Sequence, residues 1–417
     1  MSESQPLPNH WGQHQPRLTL HTDGTVRLLY LRYDASGHIN WRVMKRSPAS
    51  SAWSLEASGL SQDDVTLLRD PISDLAHVVA WPDSIPTAYT TPGFVGQVIP
   101  GNWQRLGTAS RHYGNAGIGS DGTLCLKASA ELASIVPTTR TVTQVTCGRH
   151  NQTGGGWAWN SPFSVDTGLR RAYDYLFPGA FGIASQMVAT SQLDLYKTAA
   201  GTPTLFVAAG NYVFNGISVY NSPVTSSAGW RMEDLVAPRP VQATATSAPV
   251  ERQNDAYVDR RNQLVTTFWL DDPAAPSDSG HHLLVTDARN ARLFGGRLTQ
   301  LPRYGHARVF DDSQGRLWLL WTNLGTQKTQ VELYRVQQQG SGVALSDRVD
   351  LSGQFEPYAI QGAPLIAVPR GGQAIGNALD GLMFACDGVF QSNRLNACYP
   401  ASTNRQRVVY FRLTLPD

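Results

Sequence analysis

The chain has 417 residues, with 34 Lys and Arg against 32 Asp and Glu, a formal net charge of +2. That balance excludes capture of a polyanion by bulk attraction, and no run approaches the ~20 apolar residues of a membrane span, so neither nucleic acid nor a bilayer is an expected partner. Charged residues are only 16% while Gly, Pro and Trp are plentiful, which suits many short strands and turns.

Taken in chain order, one pattern recurs: a short strand, a polar turn, then a strongly apolar strand. It appears as RLTLHTDGTVRLLYLRY (17–33), VTLLRDPISDLAHVVAW (65–81), GNAGIGSDGTLCLKAS (114–129) and LDLYKTAAGTPTLFVAAG (193–210). It returns as NDAYVDRRNQLVTTFWL (254–270), LPRYGHARVFDDSQGRLWLLWTN (301–323) and PLIAVPRGGQAIGNALDGLMFAC (364–386). Asp/Ser/Gly turns between such runs make β-hairpins. In the three clearest copies a polar residue precedes an alanine: Asn115-Ala116, Asp255-Ala256 and His306-Ala307.

Fixed-period copies of one sheet unit point to a closed array. The expected fold is therefore all-β: a single seven-bladed β-propeller of four-stranded antiparallel blades. Blades are expected near 17–60, 61–107, 108–164, 165–236, 237–300, 301–352 and 353–417. Trp53, Trp103, Trp157 and Trp230 are taken to mark outer strands. Trp11 has no blade ahead of it, and the last blade ends after RVVYFRLTL (407–415). Residues 5–13 are therefore expected to supply the missing strand and close the ring, removing exposed edges. Residues 165–191 and 236–253 read as insertions, the second an extended loop from its Pro/Ala/Thr content.

A propeller brings the residues ahead of each inner strand to one mouth. Arg111, His112, Tyr113 and Asn115 stand there, with Arg171 and Tyr173, Asn254 and Asp255, Arg303, Tyr304 and His306, and Tyr358. Rings that stack on C–H faces and polar groups that read hydroxyls are what a sugar requires. The phrases RHYG (111–114) and RYGH (303–306) have two readings: a cation with a general base, or a loop whose Tyr and His cap strand ends. His77 reads as a core histidine and His150 as lying on the opposite face. His281 and His282, adjacent in a strand, point to opposite sides and share no ligand. No CxxC or Cys/His metal spacing is present. No cofactor is expected to be required, because Arg can supply the charge of a metal, and a structural ion in the central channel is left open. Cys125 and Cys147 fall on adjacent expected strands, and Cys386 and Cys398 bracket a short loop. Disulfides at these places and four reduced, buried thiols are both open. The amino terminus has no signal pattern, which fits a secreted or periplasmic mature domain without its signal peptide, or a cytoplasmic protein. The sialidase Asp box fails at DDSQGRLW: Gly315 and Trp318 are in place, but Ser313 stands where Asp belongs.

Through these hairpins, and most closely through RHYGNAGIGSDGTLCL (111–126), the chain resembles the BNR-repeat-like (sialidase-like) seven-bladed propellers. These include polysaccharide lyases of ulvan and of rhamnose–glucuronate linkages. The resemblance implies a lyase that splits a uronic-acid glycosidic bond by β-elimination, with a catalytic His at His112. On the residues alone, His306 is the other candidate base, and Tyr304, Tyr113 or Tyr173 would serve as the acid. Arg111, Arg171 or Arg303 with Asn115 would neutralise the carboxylate. An oligo- or polysaccharide is the expected partner and a monomer the expected state. A lectin-like propeller and a sialidase-like glycoside hydrolase are the alternatives.

Overall fold

Runs such as VRLLYLRY and LWLLWTN lack the alternation of a half-exposed strand, because both of their faces are covered. The computed structural model describes residues 2–3, 17–33, 39–62, 65–101, 103, 115–119, 121–132, 140–166, 192–197, 203–210, 217–223, 231–236, 250–259, 261, 263–271, 276–287, 291–302, 305–323, 330–355, 359–366, 378–386 and 406–416. Within them the chain is almost entirely β.

After the two-residue β1 (Ser2–Glu3), the strands pair antiparallel in chain order. The first sheet holds β2 (Leu18–Leu20), β3 (Val26–Tyr33), β4 (Ile39–Arg46) and β5 (Ser54–Ser61). The second holds β6 (Thr66–Arg69), β7 (Ala76–Ala80), β8 (Thr87–Thr90) and β9 (Val95–Val98). The third holds β10 (Asn115–Ile118), β11 (Thr123–Leu132), β12 (Arg140–Asn151) and β13 (Gly156–Trp159), and β14 (Phe163–Asp166) also pairs with β12. The fourth holds β15 (Gln192–Lys197), β16 (Pro203–Gly210), β17 (Ile217–Pro223) and β18 (Arg231–Val236). The fifth holds β19 (Val250–Val258), β20 (Leu264–Asp271), β21 (Gly280–Thr286) and β22 (Arg292–Arg297). The sixth holds β23 (His306–Asp311), β24 (Leu317–Asn323), β25 (Gln330–Gln339) and β26 (Gly342–Asp350). The last holds β27 (Ala359–Ile366), β28 (Ala378–Cys386) and β29 (Gln406–Thr414), and β1 lies on the far side of β29.

The two faces of the second strands explain the apolar runs. Leu28 and Tyr30 of β3 share a core with Val408 of β29, while Leu29 and Leu31 share one with Leu67 and Val78 of the second sheet. In β24, Trp318 and Leu320 pack with Phe411 and Leu413, and Leu319 and Trp321 with Val265 and Leu283. Burying each large side chain contributes roughly 1.5–3 kcal/mol, so every such strand fastens two neighbours. First strands lie beside one another in succession: β2 by β6, β6 by β10, β10 by β15, β15 by β19, β19 by β23, β23 by β27. β2 also meets β28 of the last sheet. The fold is propeller-like.

Three expectations change in detail. The amino-terminal strand on the last sheet is Ser2–Glu3, paired with Arg407 and Gln406, while 5–13 lie outside the described residues. The third sheet has five strands, not four. Trp103 does not mark its outer strand. It follows β9, buried, with its indole N–H donating to the Ile99 carbonyl at 3.0 Å. Trp230 lies outside the described residues.

Hairpin turns of neighbouring sheets meet at one end of the molecule. Thr22 N donates to Asp74 Oδ2 at 3.0 Å across the first pair, and a Cβ on Gly122 of the third sheet's turn would stand 3.1 Å from Asp70. The turn after β23 is held by Asp312, the neighbour of Ser313. Fully buried, its Oδ1 accepts from Gln314 N and Arg316 N, both at 2.9 Å. Its Oδ2 accepts from Arg316 Nε at 2.6 Å and Trp318 Nε1 at 3.0 Å. Burial alone would raise this carboxyl's pKa, but the bonds from Trp318 and Arg316 outweigh it and hold it below the usual value.

Of the cysteine arrangements left open, Cys125–Cys147 is formed, between residues directly opposed on β11 and β12 and fully buried. The Cys386 side chain and Cys398 lie outside the described residues. With a sequence separation of 22, the link restricts a loop whose closure is worth about 3 kcal/mol. A Cys125→Ala/Cys147→Ala protein is expected to lose about that much in urea unfolding, with an unchanged far-UV spectrum before the transition.

Candidate functional site

The candidate site is the end of the sheets where the first strands begin, away from the hairpin turns. His306 is the first residue of β23 and faces Thr322 across the ladder; Asn115 is the first residue of β10 and faces Lys127. The backbone ahead of His306 is pressed against the second strand. A Cβ on Gly305 would stand 2.6 Å from Trp321 Nε1 and 2.7 Å from the Thr322 carbonyl, so the glycine of RYGH admits the strand to this position.

Asn254 and Asp255 are placed differently from expectation. They lie inside β19, because VERQ (250–253), read from composition as the end of a loop, continues the ladder opposite Phe268–Asp271. Asn254 is the extra residue of a bulge between Gln253, opposite Phe268, and Asp255, opposite Thr267. Bulges locally re-aim side chains and are over-represented beside active sites. The side chains of Asn115, Asn254, Asp255 and His306 lie outside the described residues. So do Arg111, His112, Tyr113, Arg171, Tyr173, Arg303, Tyr304 and Tyr358 in full.

Titratable groups with described side chains cluster elsewhere. His77 is fully buried in β7, its Nδ1 3.0 Å from Thr90 Oγ1. Among the described residues its Nε2 makes no hydrogen bond of ordinary length, and Asp70 Oδ2 lies 4.0 Å away. Burial lowers its pKa, and the His150 ring lies 5.8 Å away. His281 is buried and pushed down to about 4 chiefly by burial, whereas His282 meets the Asp278 carbonyl at 2.7 Å on the other side of the strand. Among the described residues no three His, Cys, Asp or Glu side chains converge as metal ligands.

Asp259, in the turn after β19, is pushed up to about 6 by burial, and Asp311 adds to the shift. It sits at the hairpin-turn end, so its perturbation belongs to folding. A carboxyl whose folded pKa is raised contributes stability that is full below pH ~4 and lost as pH rises through ~6. Asp259→Asn preserves an acceptor for Arg261 N and Gln263 N, bonded at 2.9 and 2.8 Å. It is expected to raise stability by about 1–3 kcal/mol at pH 8 and to leave pH 4 unchanged, as read from urea midpoints at the two pH values.

Neither a family model nor a curated protein matches the chain. Solved structures do. Polysaccharide lyase Uly1 is similar with a TM-score of 0.52 at 9% identity, over 99% of this chain and 92% of that one. A PL25 ulvan lyase bound to -[GlcA(1-4)Rha3S]- is similar with a TM-score of 0.51 at 10% identity, over 99% and 96%. Over nearly its whole length, this chain therefore shares the propeller-like fold of two polysaccharide lyases.

Proposed function

We propose that this chain is a carbohydrate-active enzyme, a lyase that cleaves a uronic-acid-containing glycan by β-elimination. The observation that carries the reading is the whole-length likeness in fold to two polysaccharide lyases, one of them bound to a glucuronate–rhamnose sulfate repeat. The reaction asks three things of a site. The uronate carboxylate is neutralised so that the C5 proton becomes acidic, a task for Arg111, Arg171 or Arg303 with Asn115. A base, His306 or His112, removes that proton. An acid, Tyr304, or Tyr113 or Tyr173 in its place, protonates the leaving oxygen as the C4–O bond breaks and the C4–C5 double bond forms. Asn254, Asp255 and Tyr358 bind sugar hydroxyls. Arg supplies the positive charge that a metal supplies in other sites, so the chemistry requires no cofactor.

The site belongs to a closed seven-bladed ring acting as a monomer. Support for closure comes from the core shared by Leu18, Val26, Leu28 and Met44 with Val408, and from the pairing of β1 with β29. The Cys125–Cys147 bond supports a secreted or periplasmic enzyme, since disulfides persist in oxidising compartments. Incubation with glucuronate-bearing polysaccharides is expected to raise absorbance near 235 nm as unsaturated uronates form. New reducing ends without that absorbance would indicate a hydrolase, and binding without either a lectin.

A further inference from the structure

Arg46, at the end of β4, has no carboxylate partner among the described residues. Its guanidinium lies 4.3 Å from the centroid of the Tyr410 ring and 5.3 Å from that of Trp53. The two rings meet edge to face, 5.4 Å apart at 70°. Nη2 of Arg46 donates to the Tyr410 hydroxyl at 2.9 Å, and that hydroxyl donates to Oδ1 of Asp380. Asp380 is fully buried behind the phenol, and its Oδ2 has no hydrogen-bond partner among the described residues. Burial, then the bond to Asp380, push Tyr410 up to about 12, so the phenol stays neutral. Glu56 on β5 is already taken by Arg27 at 2.7 Å and Lys45 at 3.7 Å.

The result is a guanidinium fixed by two rings, one of which also accepts through its hydroxyl, with its remaining N–H donors uncommitted among the described residues. Arg46, Trp53 and Tyr410 are all part-exposed. A fixed fork of N–H donors matches a carboxylate, and a part-exposed indole beside it matches the C–H face of a sugar ring. We propose that Arg46, Trp53 and Tyr410 form a binding site for an acidic sugar, a uronate, at the seam between the first and last sheets. Arg46 stands opposite Val26, next to the first hairpin turn, so this site lies at the other end of the sheets from His306. It would hold a polymer remote from the reacting bond. Its ligand follows from the guanidinium and the rings, independently of the elimination reaction.

The test uses methyl glucuronoside, which has no 4-linked leaving group and is not turned over, and the full chain labelled at its tryptophan indoles. The Trp53 indole resonance is assigned by its loss in Trp53→Phe. It is expected to shift saturably with methyl glucuronoside and not with methyl glucoside, and Arg46→Gln is expected to weaken that binding at least tenfold. No shift, an equal shift with the neutral glucoside, or unchanged affinity in Arg46→Gln would each overturn the site. An equal response to methyl glucoside 6-sulfate would overturn the preference for a carboxylate. The same titration in His306→Ala is expected to be unchanged. A chain that binds glucuronoside at Trp53 but forms no product absorbing near 235 nm retains this site and loses only the lyase reading.

Discussion

Of the two variants His112→Ala and His306→Ala, one is expected to eliminate uronates about 10²–10⁴-fold more slowly, with KM changed far less. The loss should fall on kcat, because the base meets the C5 proton only as the bond breaks. Exogenous imidazole should restore part of the rate in the variant that lost its base and none in the other. His306 begins β23 directly after a glycine that packs on Trp321, so its backbone is fixed by the core rather than by a free loop. Were His306 the base, a backbone held this way would reduce the entropy lost on engaging substrate. Full activity in both variants would exclude the assignment.

The second large effect concerns folding. Asp312→Ala removes the acceptor of four hydrogen bonds at a fully buried turn and leaves Trp318 Nε1 and Arg316 Nε facing nothing. The expected cost is about 3–5 kcal/mol in urea unfolding. Asp312→Asn keeps an acceptor for the two backbone N–H groups but sets a donor against one or both of the side-chain donors, and it should cost about 2–4 kcal/mol. The sign of its pH dependence is fixed. A carboxyl whose folded pKa is depressed stabilises above its unfolded value, near 4, and loses that contribution as pH falls through the folded one. The gap between wild type and Asp312→Asn should therefore narrow below pH 4. A gap independent of pH would mean that the ionised carboxylate is not what holds the turn.

The strand content was legible because the signal was local. LWLLWTN reads as a strand buried on both faces, and its five large apolar residues do divide between two cores. What was missed depended on pairing at a distance. Val250–Gln253 looked like loop by composition and is strand because β20 extends opposite it. Trp103 looked like an outer-strand marker and instead plugs a core beyond its strand. The Asp box calls for Asp at position 313, where Ser stands, while the bonds that close the turn go to Asp312, one residue earlier. Candidate residues at the mouth were legible only as types at strand entries, Asn115 and His306 among them. The Arg46–Tyr410 contact joins residues 364 apart, and no local pattern announces it.

The central claim is that residues from different sheets act on one sugar at the strand-entry end. A crystal of His306→Ala soaked with a glucuronate oligosaccharide tests it most directly. One chain of sugar is expected to touch residues 111–115, which lead into the third sheet in sequence, together with 303–304, which lead into the sixth. Sugars bound separately to single sheets, repeated around the molecule, would contradict it.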